Sequence, residues 1–238
     1  MRRALMMGTD LNAMAKLIYS GGEVVDWPLS SMTPGYTPLD QMPASEKELW
    51  IYNPDKAKQL IAAAGYPNGF KMVITCGNDS ISSDISNAVV AMWAKIGVTA
   101  TIQILDPTAM ATANNDVSYP DCLLQSGAVV NPFVSFNGGR YDLPNASYSK
   151  TESIDLTTPY YAAMATVDPV QRTALIKDLN LAIMNDVGKL PLANPNTINC
   201  YWPWLKNYYG EVEASYYNQM PMVKQMWIDQ NLKKSLGK

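Results

Sequence analysis

The 238-residue chain contains no histidine. This removes the imidazole base on which Ser-His-Asp and Cys-His nucleophile systems depend, and a ligand common in transition-metal sites. Cysteine is nearly as scarce. Cys76, Cys122 and Cys200 lie far apart and match no metal-ligand spacing. One disulfide with a leftover thiol is open to them, but three buried thiols packing as small hydrophobes are expected, so cysteine says little about compartment. Charge is thin, at 16% of residues with a formal net of -3, and no run of Lys and Arg interrupts it. A surface that tracks phosphates needs clustered cations, so no nucleic-acid partner is expected. No apolar run approaches the length of a membrane span. The stretch from Met1 to Met7 imitates the start of a signal peptide, but Gly8-Thr9-Asp10 ends it too early. The expectation is a cytosolic protein or a piece of a longer exported precursor.

What is present is globular. Hydrophobic residues make up 47%, and the length suffices for one large or two small domains with a substantial core. Asp10 caps a turn in which Leu11, Met14, Leu17 and Ile18 recur at helical spacing, and Gly21-Gly22 stops it. From Trp27 to Pro43 the chain is rich in Pro, Gly, Ser and Thr without period, which predicts a long surface loop. Asn53-Pro54 opens a helix with an N-cap and a first-turn proline, and Gly65 closes it. A strand over Phe70 to Thr75, a helix over Ser82 to Ile96 and a strand over Val98 to Leu105 follow. A short buried strand is expected from Asp121 to Ser126, then an irregular stretch, Gly127 to Tyr148. Two helices come next, about Ser153 to Thr166 and Pro169 to Val187, the second opened by Asp168-Pro169-Val170-Gln171. Lys189 to Leu192 and Asn196 to Cys200 look like strand. The alternation implies an α/β layer structure with helices on both faces of a sheet.

Few of these residues carry chemistry. No nucleotide-binding glycine fingerprint occurs, and Gly21-Gly22 and Gly138-Gly139 are isolated loop pairs. Asp121 with Asp142, or Asp79 with Asp84, could be put forward as acid-base pairs, but caps, turns and solvated faces explain them better. The stripe through Ile85, Val89, Met92 and Trp93 reads as core, and so do most of the 14 methionines. From Tyr201 the composition turns aromatic: Trp202, Trp204, Tyr208, Tyr209, Tyr216, Tyr217 and Trp227. Such residues stack on ligands or meet another domain, and domain contact is the favoured reading.

The run Tyr52-Asn53-Pro54-Asp55-Lys56-Ala57-Lys58, ending in Ala64-Gly65-Tyr66-Pro67-Asn68-Gly69-Phe70, resembles family 5 of the extracytoplasmic solute-binding proteins, the oligopeptide, dipeptide and nickel-type receptors. Arg3-Ala4-Leu5 through Asp10 looks like the family's helix at the start of its third domain. Ala91-Met92-Trp93-Ala94-Lys95-Ile96-Gly97-Val98 is similar to its helix leading into a strand. Thr166 to Leu192 resembles its late helix and following segment.

The resemblance implies a lobe of the type II periplasmic-binding-protein kind, a mixed sheet flanked by helices, over residues 1-200. Residues 201-238 would form a crossover tail that completes an N-terminal lobe absent from this chain, so part of them is expected to be displaced or packed on a neighbour. The implied function is the solute-binding component of an ABC importer, periplasmic or extracellular and membrane-associated through its permease subunits, with no catalysis, metal or cofactor. A sensing module on the same fold, or a hydrolase with a carboxylate site, is the alternative.

Candidate ligand contacts are Gln125, Ser126, Gly127, Ala128, Asn131 and Phe133, with Trp27 and Tyr36 in the long loop. Aligned on Pro132, the Trp and the ammonium-pairing Asp of peptide-binding members fall at Gln125 and Ala128. Positions carrying Arg for the peptide carboxylate fall near Cys122 and Ala113. A buried unpaired ammonium costs about several kcal/mol, so zwitterionic peptides are disfavoured. Oligosaccharides, which Gln, Asn and aromatic groups suffice to hold, fit as well as peptide-like solutes, and nickel-type ligands fit less well without histidine.

Overall fold

The computed structural model describes residues 1–25, 27–31, 33–125, 136, 155–195, 200–210 and 223–238. The chain divides into two compact units, Met1–Pro195 and Asn196–Lys238.

The helices of the first unit start where short polar side chains can occupy otherwise unpaired N–H groups. α1 (Arg2–Met7) is followed by α2 (Leu11–Tyr19), whose Asp10 carboxylate accepts from Ala13 N–H at 2.9 Å. α2 ends with Ser20 in the left-handed region, directly before Gly21. β1 (Gly22–Glu23) leads into the long loop, which carries a 3-10 turn at Leu39–Gln41 and the short α3 (Ala44–Lys47) just beyond it. α4 (Pro54–Ala63) begins at Asn53, whose side chain accepts from Lys56 N–H at 3.0 Å. Asp79 caps α5 (Ser80–Ala94) in the same way.

β2 (Phe70–Gly77) lies at the centre of a three-stranded sheet in the order β3-β2-β4, with β3 (Val98–Leu105) and β4 (Cys122–Leu123) both parallel to it. Antiparallel pairing occurs between β1 and β5 (Asn194–Pro195). The β2–β3 register runs from Phe70 opposite Val98 to Gly77 opposite Leu105. It is set by a close backbone approach: Phe70 N–H donates to Gly97 O at 3.2 Å, and a Cβ on Gly69 would stand 1.7 Å from that oxygen. Gly69 also has φ +77°, so only glycine fits.

The main core gathers α1, α2, α4, α5 and one sheet face, with Met7, Met14, Trp50, Ile61, Ile74, Val89, Trp93 and Val98 buried in it. Trp93 indole N–H donates to Thr9 Oγ1 at 2.9 Å, so its one polar atom is satisfied inside the apolar cluster. A second cluster forms around α7 (Thr157–Ala165) and α8 (Pro169–Asp186), with Leu29, Phe136, Tyr160, Ile176, Leu179 and Ile183 buried. Gly35, at φ +89°, lets the long loop come within van der Waals reach of Ile176. α8 ends on Val187, a buried β-branched residue at φ +50°. That conformation costs roughly 1–2 kcal/mol, and the burial of the Val187 side chain in the main core offsets it.

Several expectations are corrected. The helix expected from Ser153 begins at Thr157, where Asp155 accepts from Thr157 and Thr158 N–H groups at 3.0 Å each. Among the described residues, the strand expected over Asp121 to Ser126 is paired only at Cys122–Leu123. Lys189 to Leu192 forms no strand; Pro191 has no N–H to give a ladder, and pairing is confined to Asn194–Pro195. Asn196 to Asn199 lie outside the described residues. A helix without an expectation, α6 (Pro107–Asn115), follows β3 directly. The cysteines are all free, but only Cys76 is fully buried; Cys122 is half-buried and Cys200 exposed.

In the second unit, β6 (Leu205–Lys206) pairs antiparallel with β7 (Trp227–Ile228), and the short α9 (Gln230–Ser235) starts from the Asp229 cap. Trp202 and Trp204 stack with centroids 4.6 Å apart and planes 8° from parallel. Trp202, Tyr209 and Trp227 remain exposed.

Candidate functional site

The three parallel strands end on one edge, at Gly77, Leu105 and Leu123. In open α/β sheets the carboxyl ends of parallel strands are where ligands bind, because the chain turns away there and leaves a crevice. Here α6 starts directly at that edge. Asp106 follows the last residue of β3, and its Oδ1 accepts from Thr108 and Ala109 N–H groups at 2.9 and 3.1 Å.

Between α6 and the strand ends is a hollow of about 380 Å³, lined by Thr75, Gln103, Leu105, Asp106, Thr108, Ala109, Thr112, Ala113, Ser118 and Tyr119. Thr75 and Gln103 are directly opposite in the register. Thr75, fully buried, donates its hydroxyl proton to Gln103 Oε1 at 3.1 Å. The other strand is held by a side chain: Asp121 Oδ2 accepts from Val73 N–H at 2.7 Å, and Leu124 N–H donates to Thr75 O at 2.8 Å.

The titratable groups here are poorly suited to covalent chemistry. Burial, followed by the adjacent Asp121 charge, pushes the Cys122 thiol up to about 12, so it stays protonated at neutral pH and is a poor nucleophile. Burial, then Cys122, also raises Tyr119. Asp79 is held below the usual carboxylate range by hydrogen bonds from Ser82, the work of a helix cap. Asp121 is engaged by a strand amide, and Asp142 lies outside the described residues. Among the described residues, no group of three or more Cys, Asp or Glu side chains could hold a metal ion. No helix is long and apolar enough to cross a membrane among them.

Of the contacts suggested by sequence, Gln125 is exposed and follows the end of β4 by two residues. Ser126, Gly127, Ala128, Asn131 and Phe133 lie outside the described residues. Trp27 and Tyr36 are half-buried against the second core cluster, and Tyr36 donates its hydroxyl proton to Val25 O at 3.1 Å; neither lines the hollow. The residues that do line it were not singled out from sequence, apart from Ala113 as an aligned position. One signal was present: Asp106-Pro107 repeats the cap-plus-proline pattern of Asn53-Pro54 and Asp168-Pro169.

Residues 1–139 match the bacterial extracellular solute-binding proteins, family 5, middle region. Heme-binding protein A of Haemophilus influenzae is 36% identical over 104 residues, which is 41% of this chain and 18% of that protein. The glutathione-binding protein GsiB of Salmonella typhimurium is 24% identical over 214 residues, 84% of this chain and 40% of its own length. The oligopeptide-binding protein AppA of Bacillus subtilis, solved in complex with a nonapeptide, superposes with a TM-score of 0.72 at 19% identity, over 95% of this chain and 47% of that one. The chain thus spans less than half the length of each of these proteins, and its α/β unit has the fold of type II periplasmic binding proteins. With more than half of its residues matched, the chain belongs to family 5 of the bacterial extracellular solute-binding proteins.

Proposed function

We propose that this chain is one lobe of the solute-binding component of an ABC importer, which captures a peptide-like or oligosaccharide solute between two lobes and hands it to permease subunits. Its place of work is the periplasm or the outer face of the cell, and it performs no catalysis. The observation that carries this reading is the solute-sized hollow at the carboxyl edge of a parallel sheet, in a chain that belongs to a solute-binding family.

The relatives named for glutathione and solved with a nonapeptide favour a peptide-like solute. The oligosaccharide alternative rests on the neutral side chains of the hollow. On this reading Gln125, Ser126, Gly127, Ala128, Asn131 and Phe133 extend the contact surface beyond β4, with Trp27 and Tyr36 as outlying contacts. Residues 201-238 are read as the segment that completes the other lobe, which accounts for the exposed Trp202, Tyr209 and Trp227.

Calorimetric titration of the two-lobed protein that carries this chain, with a panel of di- to nonapeptides, glutathione, heme and maltotriose, tests the proposal, with the solutes recovered afterwards for analysis. Saturable binding of at least one solute, recovered unchanged, is expected. A panel with no binder, or a solute recovered cleaved or modified, contradicts it.

A further inference from the structure

The hollow has a chemistry of its own. Its described lining includes no Lys or Arg, and its only ionisable carboxylate is Asp106. The remaining polar groups are neutral: Thr75, Gln103, Thr108, Thr112, Ser118 and Tyr119. A hydroxyl both donates and accepts, and an amide does the same through separate atoms, so this set matches a partner that also has both capacities. Thr75 is fully buried and spends its proton on Gln103 Oε1. That bond fixes which end of the Gln103 amide accepts and leaves its NH₂ group as donor.

Among the described lining residues, a carboxylate entering this space would meet Asp106 and no compensating cation. The α6 N–H groups that favour an anion at a helix start are the ones Asp106 already occupies. Leu105, Ala109 and Ala113 supply an apolar part of the wall.

We infer that this hollow receives an uncharged hydrogen-bonding segment of the solute, bearing amide or hydroxyl groups, and selects against a carboxylate. The inference rests on the solute-binding reading and adds to it the charge class of the bound group.

The test is a heteronuclear NMR titration of the ¹⁵N-labelled two-lobed protein that carries this chain, with three probes: N-acetyl-trialanine amide, N-acetyl-trialanine as the free acid, and maltotriose. Shift changes are expected at Thr75, Gln103 and Thr108 to Thr112 for the capped peptide, maltotriose or both, which separates an amide from a hydroxyl source. The tighter neutral probe should bind about tenfold more strongly than the free acid, a ratio corresponding to one like-charge contact in a partly solvated site. Asp106→Asn, which keeps a good cap, should narrow that ratio. Thr112→Trp should abolish the shifts, with Thr112→Val as the variant that keeps volume should the larger one unfold.

Equal affinity for the free acid, or shifts that map elsewhere on the chain, overturns the inference and leaves the solute-binding reading intact. If these probes and the broader solute panel all fail to bind, both fall together.

Discussion

Met72, Ile74 and Val98 lie on one face of the β2–β3 ladder, in the same buried cluster as Val89 and Trp93 of α5. On the other face Lys71 is opposite Thr99, Val73 opposite Thr101 and Thr75 opposite Gln103; Lys71, Thr99, Thr101 and Gln103 are exposed. Parallel sheets are usually covered on both faces. Here the apolar face carries the main core, while the other face leaves Lys71, Thr99, Thr101 and Gln103 exposed among the described residues, and on the proposed reading its carboxyl edge serves a solute. Alternation with period two produces both faces from one strand sequence, and the register brings the polar residues together.

Substitutions on the two faces should therefore behave very differently. The largest effect is expected at Trp93. Trp93→Ala removes a buried ring and leaves the Thr9 hydroxyl without its indole partner, and should cost about 3–5 kcal/mol in urea unfolding. A loss below about 1 kcal/mol, the usual range for an exposed position, would break the contrast.

Next comes the register itself. Gly69→Ala forces a Cβ against Gly97 O in a left-handed conformation and should cost about 1–3 kcal/mol. Unchanged stability would mean that β2 and β3 can slide past this contact.

A smaller effect is expected at Glu48. Its carboxyl is held below its usual value chiefly by Lys56, against an opposing effect of burial, with help from Arg3. The depressed folded value means the contribution is complete above the ordinary glutamate range and disappears as pH falls through the folded value. These partners are about one-third exposed, so Glu48→Gln should cost no more than about 0.5 kcal/mol at pH 7. The gap to wild type should close below about pH 4, under the unperturbed glutamate value. A gap that widens in acid contradicts the sign.

The smallest effect belongs to the polar face. Thr99→Ala should stay within about 0.5 kcal/mol of wild type. A larger loss would show that this face is packed in solution.

The sequence was most informative where one residue type has one physical use. Asn53, Asp10 and Asp168 were identified as caps, and each accepts the N–H three residues on. The Trp93 stripe was identified as core and is buried. α6 leaves no readable period in the sequence because Asp106-Pro107 opens a helix with only one buried residue, Ala113. Lys189 to Leu192 imitated a strand because short apolar runs do not reveal whether a partner lies alongside. The hollow was illegible for a different reason. Thr75 and Gln103 are ordinary polar residues of two alternating strands, separated by 28 positions, and only the parallel register brings the hydroxyl to the amide. Cys200 was expected to be buried on residue type alone, which carries no information about position.

The central claim is that a solute sits against the carboxyl edge of this sheet. Amide hydrogen exchange, compared with and without the tightest solute from the binding panel, tests it most directly. The account predicts slowed exchange at the ends of β2 and β3 and through the first turn of α6, with little change in α1 and α4. Protection confined to the helices of the main core, or to residues 200–238, would contradict it.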